Sequence, residues 1–493
     1  LMVMIFLLNK LSMYFEFYFC LMFFGLSINY FDFFFSLFLV LIFFLVLLFS
    51  LFYMNNYLFY MYYMFVSFCF LLMMLMLNFV YGFHLLFFVW DMLGLVSFFL
   101  VKFYLNWESL SGSLSTIFSN RVGDFFLIYF FCSEYMFSLS LMSIFGLMFL
   151  FLSCMTKSSQ FPFFGWLVKA MVAPTPVSSL VHSSTLVVSG CFLMYIFFEN
   201  YNFNFMLLLM LISILGMILS LLLSLFEVDM KKMVAYSTMS QVSLIFLFFS
   251  FEWFFWSLMY LINHALFKSL LFLLVGSKIY YEKGNQDLRY NKSGDYYYVF
   301  VIFMICYFSL SGMMFSSGMM IKDNVLDMIS MKHDLGLLLL FLFFCYLGTM
   351  IYSFKFMYMF MKNNIIFYMN FSYKNLLSML ILSFFSYYFL MFVLGNFCFL
   401  NSSLNEEYIF WMWLIFNYCY YFIINLSILI FNEKFLGVWM FKMSSFSMIL
   451  MNLDIFMLFL IFGLELFLEY IILLSKKLML FLKYLFYFIF FLV

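Results

Sequence analysis

The chain has 493 residues, of which 69% are hydrophobic, 27% aromatic and 9% charged, whereas a soluble domain is nearer half apolar and a quarter charged. Its 22 basic and 22 acidic residues cancel, which leaves no basic footprint for nucleic acid. The nine cysteines are dispersed without a CxxC pair, and GxGxxG, P-loop, iron–sulfur and haem-attachment patterns are missing, so the sequence offers no recognisable redox cofactor or metal site.

Apolar runs of about 20 residues, long enough to cross a bilayer as helices, recur along nearly the whole chain. The composition therefore predicts a polytopic α-helical membrane protein. An outer-membrane β-barrel would show short alternating segments and more polar residues. The 86 Phe, 45 Met and 37 Tyr set against three Pro point to A+T-rich codons and an organelle-encoded chain, with a lipid-adapted aromatic composition as the competing reading. Leu1 reads as an alternative start or a trimmed end, and no cleavable signal separates from the first apolar segment.

Polar punctuation predicts helices at about 12–29, 31–53, 57–80, 84–104, 114–131, 138–157, 162–173, 176–198, 204–226, 233–250, 254–276, 296–315, 335–361, 376–400 and 408–431, then a long stretch from 446. Asp91, after Trp90, lies inside the apolar run FHLLFFVWDMLGLVSFFL. A charge at such depth costs a few kcal/mol even on lenient scales, so it faces a partner, water or a function. In NRVGD, Arg121 and Asp124 share a helix face at i and i+3, as a structural ion pair or as part of a charge path.

Thr156 to Gly190 departs most from the compositional bias, holding Pro162, Pro174, Pro176 and two of the four alanines. Lys157 stands five residues before Pro162, which cannot donate to a helix and clashes with the Ser158 carbonyl, so the helix should break there. Freed carbonyls are tolerated at membrane depth only against protein or water. Lys157 thus reads as a hydrated titratable site, with snorkelling from a helix end as the alternative. His182 lies 25 residues after Lys157, about 38 Å along a continuous helix. The turn at Pro174 and Pro176 can fold it back, among Ser183, Ser184 and Thr185.

His264 and Lys268 share a face at i and i+4, with Tyr260 one turn earlier. Two cations one above the other in apolar surroundings suit proton exchange near neutral pH. Lys322 and Asp323 follow Gly312 and Gly318, and glycine allows a break without proline; an interfacial salt pair competes. The loop Lys278–Asp295 must lie outside the hydrocarbon, and its basic residues favour the matrix or cytoplasmic side. Two units with buried charges beside broken helices are the mark of transporter architecture.

The segments WDMLGLVSFFL, SNRVGDFFL, TKSSQFPFFGWLVKAMVAPTPVSSLVHSSTLVVSG, DMKKMVAYSTMSQ, LINHALFKSLLFL, NQDLR and IKDNVLD, in this order over about residues 84 to 327, resemble the chain 5 family of proton-pumping NADH–ubiquinone oxidoreductase. This is the distal antiporter-like membrane subunit of respiratory complex I. HSST with NQDLR favours chain 5 over its sisters, chains 2 and 4.

The resemblance implies an all-α polytopic fold with an antiporter-like inverted repeat, two broken helices, a C-terminal lateral helix and a final anchor. The implied division is 1–83 N-terminal helices, 84–200 first half, 201–361 second half, 362–445 C-terminal helices, 446–477 lateral helix and 478–493 anchor. One or two early helices of the family are expected to be missing. Asp91 is expected to pair with Lys157, and the polar axis to continue through His182, His264, Lys268 and Lys322. Asp91 is one methylene shorter than the Glu common there, Tyr260 replaces a histidine, and Met314 replaces a proline.

The resemblance further implies a proton-translocating subunit in the mitochondrial inner membrane. FMN, iron–sulfur clusters, NADH and ubiquinone would sit on other subunits. Its partners would be the chain 4 and chain 2 sisters, accessory subunits and lipids such as cardiolipin. Asp454, Glu465 and Glu469 project within about 60° on one helical face, which suits the lateral helix, or an ordinary spanning helix with acids near its ends. The rival functions are a stand-alone cation/proton antiporter and a distal structural subunit that no longer pumps.

Overall fold

The structure, a computed structural model, describes residues 13–19, 22–28, 30–136 apart from 56 and 81, 144–197, 203–287, 297–312, 317–318, 322, most of 345–356 and 373–384. All lie in the compact unit Leu1–Ile423. The expectations for Met314, Asp323, 408–431, the lateral helix and the anchor fall outside the described residues.

The first segment departs from its predicted helix. Strands β1 (Met13–Phe19) and β2 (Met22–Ile28) pair antiparallel, with Met13 opposite Ile28 and Phe19 opposite Met22. The reason is visible in MYFEFYF, where Phe alternates with Tyr and Glu at period two and aromatic residues favour a pleated surface. Average hydropathy registers only that the segment is apolar.

The remaining described elements are helical: α1 (Tyr30–Tyr53), α2 (Tyr60–Phe79), α3 (Phe83–Val101), α4 (Trp107–Met136), α5 (Ile144–Lys157), α6 (Gly165–Lys169), α7 (Thr175–Ser178), α8 (Leu186–Ile196), α9 (Phe203–Phe226), α10 (Met230–Ser250), α11 (Phe254–Tyr281), α12 (Tyr297–Ser311) and α13 (Tyr373–Phe384). A π-helical segment, Ser179–Thr185, joins α7 to α8. Among the described residues, seven helices are long and apolar enough to cross a membrane. This is a multi-pass membrane protein.

The spans divide by environment. Thr175–Ile196 and Trp256–Tyr281 are wholly enclosed, with mean hydropathies of 1.5 and 1.8. Asp32–Tyr53 and Met206–Phe226 reach 3.0 and 2.9 but are about half enclosed. The most apolar helices therefore lie at the outer surface of the chain, with Phe33, Phe44 and Leu211 exposed, and the more polar ones are shielded by protein. That order follows from the cost of polar groups against hydrocarbon. Buried serines add little to the cost, because most return their hydroxyl to a carbonyl three residues back, as Ser153 does to Leu150 and Ser243 to Ser240.

Close helix contacts use small residues. A Cβ on Gly190 would lie 2.6 Å from the Cys154 carbonyl, so α8 and α5 approach backbone to backbone. The start of α10 is fixed from the polar loop, where Met230 N–H donates to Gln286 O at 3.1 Å beside a bridge between Asp229 and Asp287.

Candidate functional site: two interrupted helices with buried lysines

Helix α5 stops at Lys157. Ser159 takes a left-handed φ of 53°, and Pro162 follows with no N–H to continue the ladder. The orphaned carbonyls of that end find partners in protein. The Trp166 indole N–H donates to Thr156 O at 2.9 Å, and separately Gln160 Nε2 ties the break to α10 by donating to Met239 O at 3.2 Å. The chain resumes as α6, turns at Pro174, and restarts with Pro176 in the first turn of α7, where a missing donor costs nothing. Lys231, buried at the start of α10, donates to the Ala173 carbonyl at 2.9 Å, so a second lysine seals this break.

Lys157 is completely buried. Its ammonium donates to Trp90 O at 2.5 Å and lies 3.7 Å from the centre of the Trp90 ring, a cation–π contact. Asp91, expected to pair with Lys157 directly or through one water, has its carboxylate against Arg121, Nη1 to Oδ1 at 2.6 Å. The same Arg121 nitrogen lies 3.3 Å from Asp124 Oδ2. Arg121 thus links two carboxylates, and both lie near enough to Lys157 for their charges to reach it. One guanidinium nitrogen lies against both acids, and Asp91, with its short arm, is within its reach.

His182 sits in the π segment, where Thr185 Oγ1 donates to Leu180 O at 2.6 Å, and Ser183 donates to Ser179 O. Single turns of π-helix widen a helix locally and recur at functional sites. The imidazole is fully buried, 6.0 Å from the Trp166 ring, and neither ring nitrogen has a hydrogen-bond partner among the described residues. The π segment packs on α11, which carries the next charged pair.

On α11, Lys268 is fully buried and donates to Ser237 Oγ of α10 at 2.5 Å. His264, one turn earlier, packs edge-on to Phe267 with both ring nitrogens lacking a hydrogen bond among the described residues. The Tyr260 hydroxyl donates to Gln241 Oε1, and Gln241 Nε2 donates to Tyr352 Oη at 2.9 Å. Tyr260 is thereby tied to the Gln241 amide.

The second interruption follows α12. Gly312 has φ of 73°, a left-handed turn glycine takes without penalty. The freed Leu310 and Ser311 carbonyls accept from Lys322 Nζ at 3.0 and 3.1 Å, and Thr349 Oγ1 lies 3.2 Å away. The Lys322 charge also acts on Lys268. The break expected from glycine alone is therefore present, with its lysine seated on it.

The structure thus joins Asp91, Arg121, Asp124 and Lys157 in one cluster and His264, Lys268 and Lys322 in another, with His182 on the element packed against the second. Sequence reasoning missed Ser237, Lys231 and Lys355. Lys355 is buried and donates to Leu225 O at 2.5 Å and Glu227 O at 2.6 Å, at the end of α9. A lone lysine in the apolar run YSFKFMYMF was the available signal.

Interrupted helices sealed by buried lysines inside a lipid-facing bundle define an antiporter-like membrane protein. Residues 81–351 match the family described as NADH:quinone oxidoreductase/Mrp antiporter, TM, and the chain belongs to that family. Relatives named NADH-ubiquinone oxidoreductase chain 5 include that of Ascaris suum, 40% identical over 65% of this chain and 60% of its own length. The Caenorhabditis elegans protein of the same name is 40% identical over 65% of this chain and 62% of its own. The chain spans about six tenths of the length of these relatives. Its fold is similar to a chain of the Mrp complex from Dietzia sp. DQ12-45-1b, with a TM-score of 0.63 and 20% identity over 76% of this chain and 44% of that one.

Proposed function

We propose that this chain is a proton-translocating membrane subunit of NADH:ubiquinone oxidoreductase, seated in the mitochondrial inner membrane. Electron transfer, with its FMN, iron–sulfur clusters, NADH and ubiquinone, belongs to other subunits. The chain 4 and chain 2 sisters are its membrane neighbours, with accessory subunits and cardiolipin around them.

The observation that carries this reading is the seating of Lys157 and Lys322 on carbonyls at or facing two helix interruptions, with Lys268 and two imidazoles between them. Each lysine can release a proton without leaving its site, because its neighbours are neutral carbonyls and hydroxyls or acids held by Arg121. Lys157 senses Asp91 and Asp124 through space. A motion of Arg121 would change their field at Lys157, and the lysine would take up or release a proton accordingly. No covalent chemistry is required of this chain.

The second reading, a stand-alone cation/proton antiporter, draws on the likeness to the Mrp complex chain. Isolation through an affinity tag on this chain separates the two. The expected result is a large assembly that reduces quinone with NADH, and recovery of a tagged particle without that activity would favour the antiporter.

A further inference from the structure

Three buried polar side chains from three helical elements meet beside the cations of the second half, and none of the three is a cation. They are Gln241 of α10, Tyr260 of α11 and Tyr352 of the helical residues 348–353. The amide uses both of its ends. Its Oε1 accepts from the Tyr260 hydroxyl, and its Nε2 donates to Tyr352 Oη at 2.9 Å. An amide is not among the groups that titrate near neutral pH, so Gln241 fixes distances and carries no proton.

The neighbouring turns show which distances those are. On α10, Ser237 stands four residues before Gln241, and on α11, Lys268 stands eight after Tyr260, so each pair shares a helix face. The Tyr260–Gln241 bond and the 2.5 Å Lys268–Ser237 bond are therefore two rungs between the same two faces. On residues 348–353, Thr349 lies three positions before Tyr352, and its Oγ1 is 3.2 Å from Lys322 Nζ. Three positions earlier again, the Tyr346 ring is centred 5.4 Å from the same ammonium. Three positions after Tyr352, Lys355 anchors the chain on Leu225 O and Glu227 O of α9. With that end fixed, the bond at Tyr352 sets how closely Thr349 approaches Lys322. Packing alone does not set it, because a void of about 20 Å3 lies beside Ser237, Tyr352 and Phe356, and groups lining a void lack contacts on that side.

We propose that Gln241 is a positioning residue for the second half, holding Lys268 on Ser237 and Lys322 on Thr349 by tying Tyr260 and Tyr352 to one amide. This role rests on the proton-translocating reading and adds to it a residue that acts through two lysines it does not touch. A buried polar network keeps its geometry when every member is satisfied, and removing one member leaves its partners to pay their desolvation unpaired. Loss of the amide would strand two phenols at once. Loss of the Tyr352 hydroxyl would strand only the Nε2 end of Gln241 and leave the ring in place. In either case residues 348–353 are released from α10, and Thr349 is no longer held against Lys322. Loss of the amide also removes the Tyr260 rung and frees α11 to shift Lys268 from Ser237.

The test uses the assembled complex in sealed vesicles and reads protons moved per electron pair, normalised to assembled complex. Lys268→Met sets the value for loss of this half, in which the two lysines act in series. Gln241→Leu and Tyr352→Phe should each lower the ratio toward that value. Ser243→Ala, which removes a buried hydroxyl bonded only within α10, should leave it at wild type. Combining Tyr352→Phe with Lys268→Met should give a ratio no lower than Lys268→Met alone, since residues that act through one another are not additive. Tyr352→Phe removes a single hydroxyl, so it keeps the test available where Gln241→Leu impairs folding. If Lys268→Met lowers the ratio while Tyr352→Phe and Gln241→Leu leave it at wild type, the positioning role is wrong and translocation stands. A double variant below Lys268→Met, an equal drop in Ser243→Ala, or failure of both network variants to assemble would also overturn it. If Lys268→Met itself changes nothing, translocation through this half fails, and the role of Gln241 with it.

Discussion

At the scale of single residues, Arg121 sets the electrostatics of the first cluster. It lies within 2.6 Å of Asp91 and 3.3 Å of Asp124, and without it two carboxylates would face each other and the nearby lysine at partial burial. Arg121→Gln should therefore lower the thermal midpoint of the solubilised complex. Arg121→Lys, which keeps the charge on a differently shaped side chain, should recover only part of the loss. Equal midpoints for wild type and Arg121→Gln would show that the bridge contributes nothing. This pairing was hidden from the sequence. Asp91 and Arg121 are thirty positions apart on different helices, and the nearby cation on the expected partner list was Lys157. What the sequence did expose was the need for a counter-ion at Asp91, because a carboxylate inside an apolar run requires one.

At the scale of elements, the two interruptions have different causes and the same outcome. Pro162 removes a donor after Lys157, whereas Gly312 turns the backbone left-handed after α12. Both free carbonyls: at the first the Trp166 indole takes the Thr156 carbonyl while Lys157 reaches across to Trp90 O, and at the second Lys322 takes the Leu310 and Ser311 carbonyls. A methyl group on Gly312 would lie 2.9 Å from Lys322 Cδ, and a left-handed residue other than glycine costs about 1–2 kcal/mol. Gly312→Ala should thus both lower stability by roughly that amount and push Lys322 off the Leu310 and Ser311 carbonyls. The measurable result is a lower thermal midpoint together with fewer protons per electron pair, and an unchanged ratio would mean that the seat of Lys322 is not used in transport.

Helix positions from α1 to α12 were legible because each apolar run ends in polar punctuation. Both breaks were legible because Pro162 and Gly312 announce themselves. The π segment around His182 was not, since a wider turn leaves no mark in hydropathy and is stabilised by hydroxyls such as Thr185 that also occur in ordinary helices. The hairpin Met13–Ile28 was missed for a related reason, its period-two alternation being masked by uniformly apolar aromatic residues.

At the scale of the molecule, the bundle separates shielding from chemistry. The helices with the highest hydropathy lie at the outside of the chain, while α7–α8, α10 and α11, which carry His182, Ser237, His264 and Lys268, are enclosed almost completely. Charges that would be prohibitive against hydrocarbon can sit there because protein and hydroxyl groups surround them. A scaffold has no need of such an arrangement, since apolar packing of the same volume would hold the helices together without buried cations.

The most direct measurement of whether these cations carry protons is the number of protons moved per electron pair by the assembled complex with Lys157→Met. Its amine is replaced by an apolar chain of similar length, and Asp91 and Asp124 keep Arg121 as their partner, so assembly should be retained. The predicted result is a lower ratio at wild-type levels of assembled complex. A wild-type ratio in the complex that does assemble would contradict proton carriage by Lys157 and leave the first cluster a structural one.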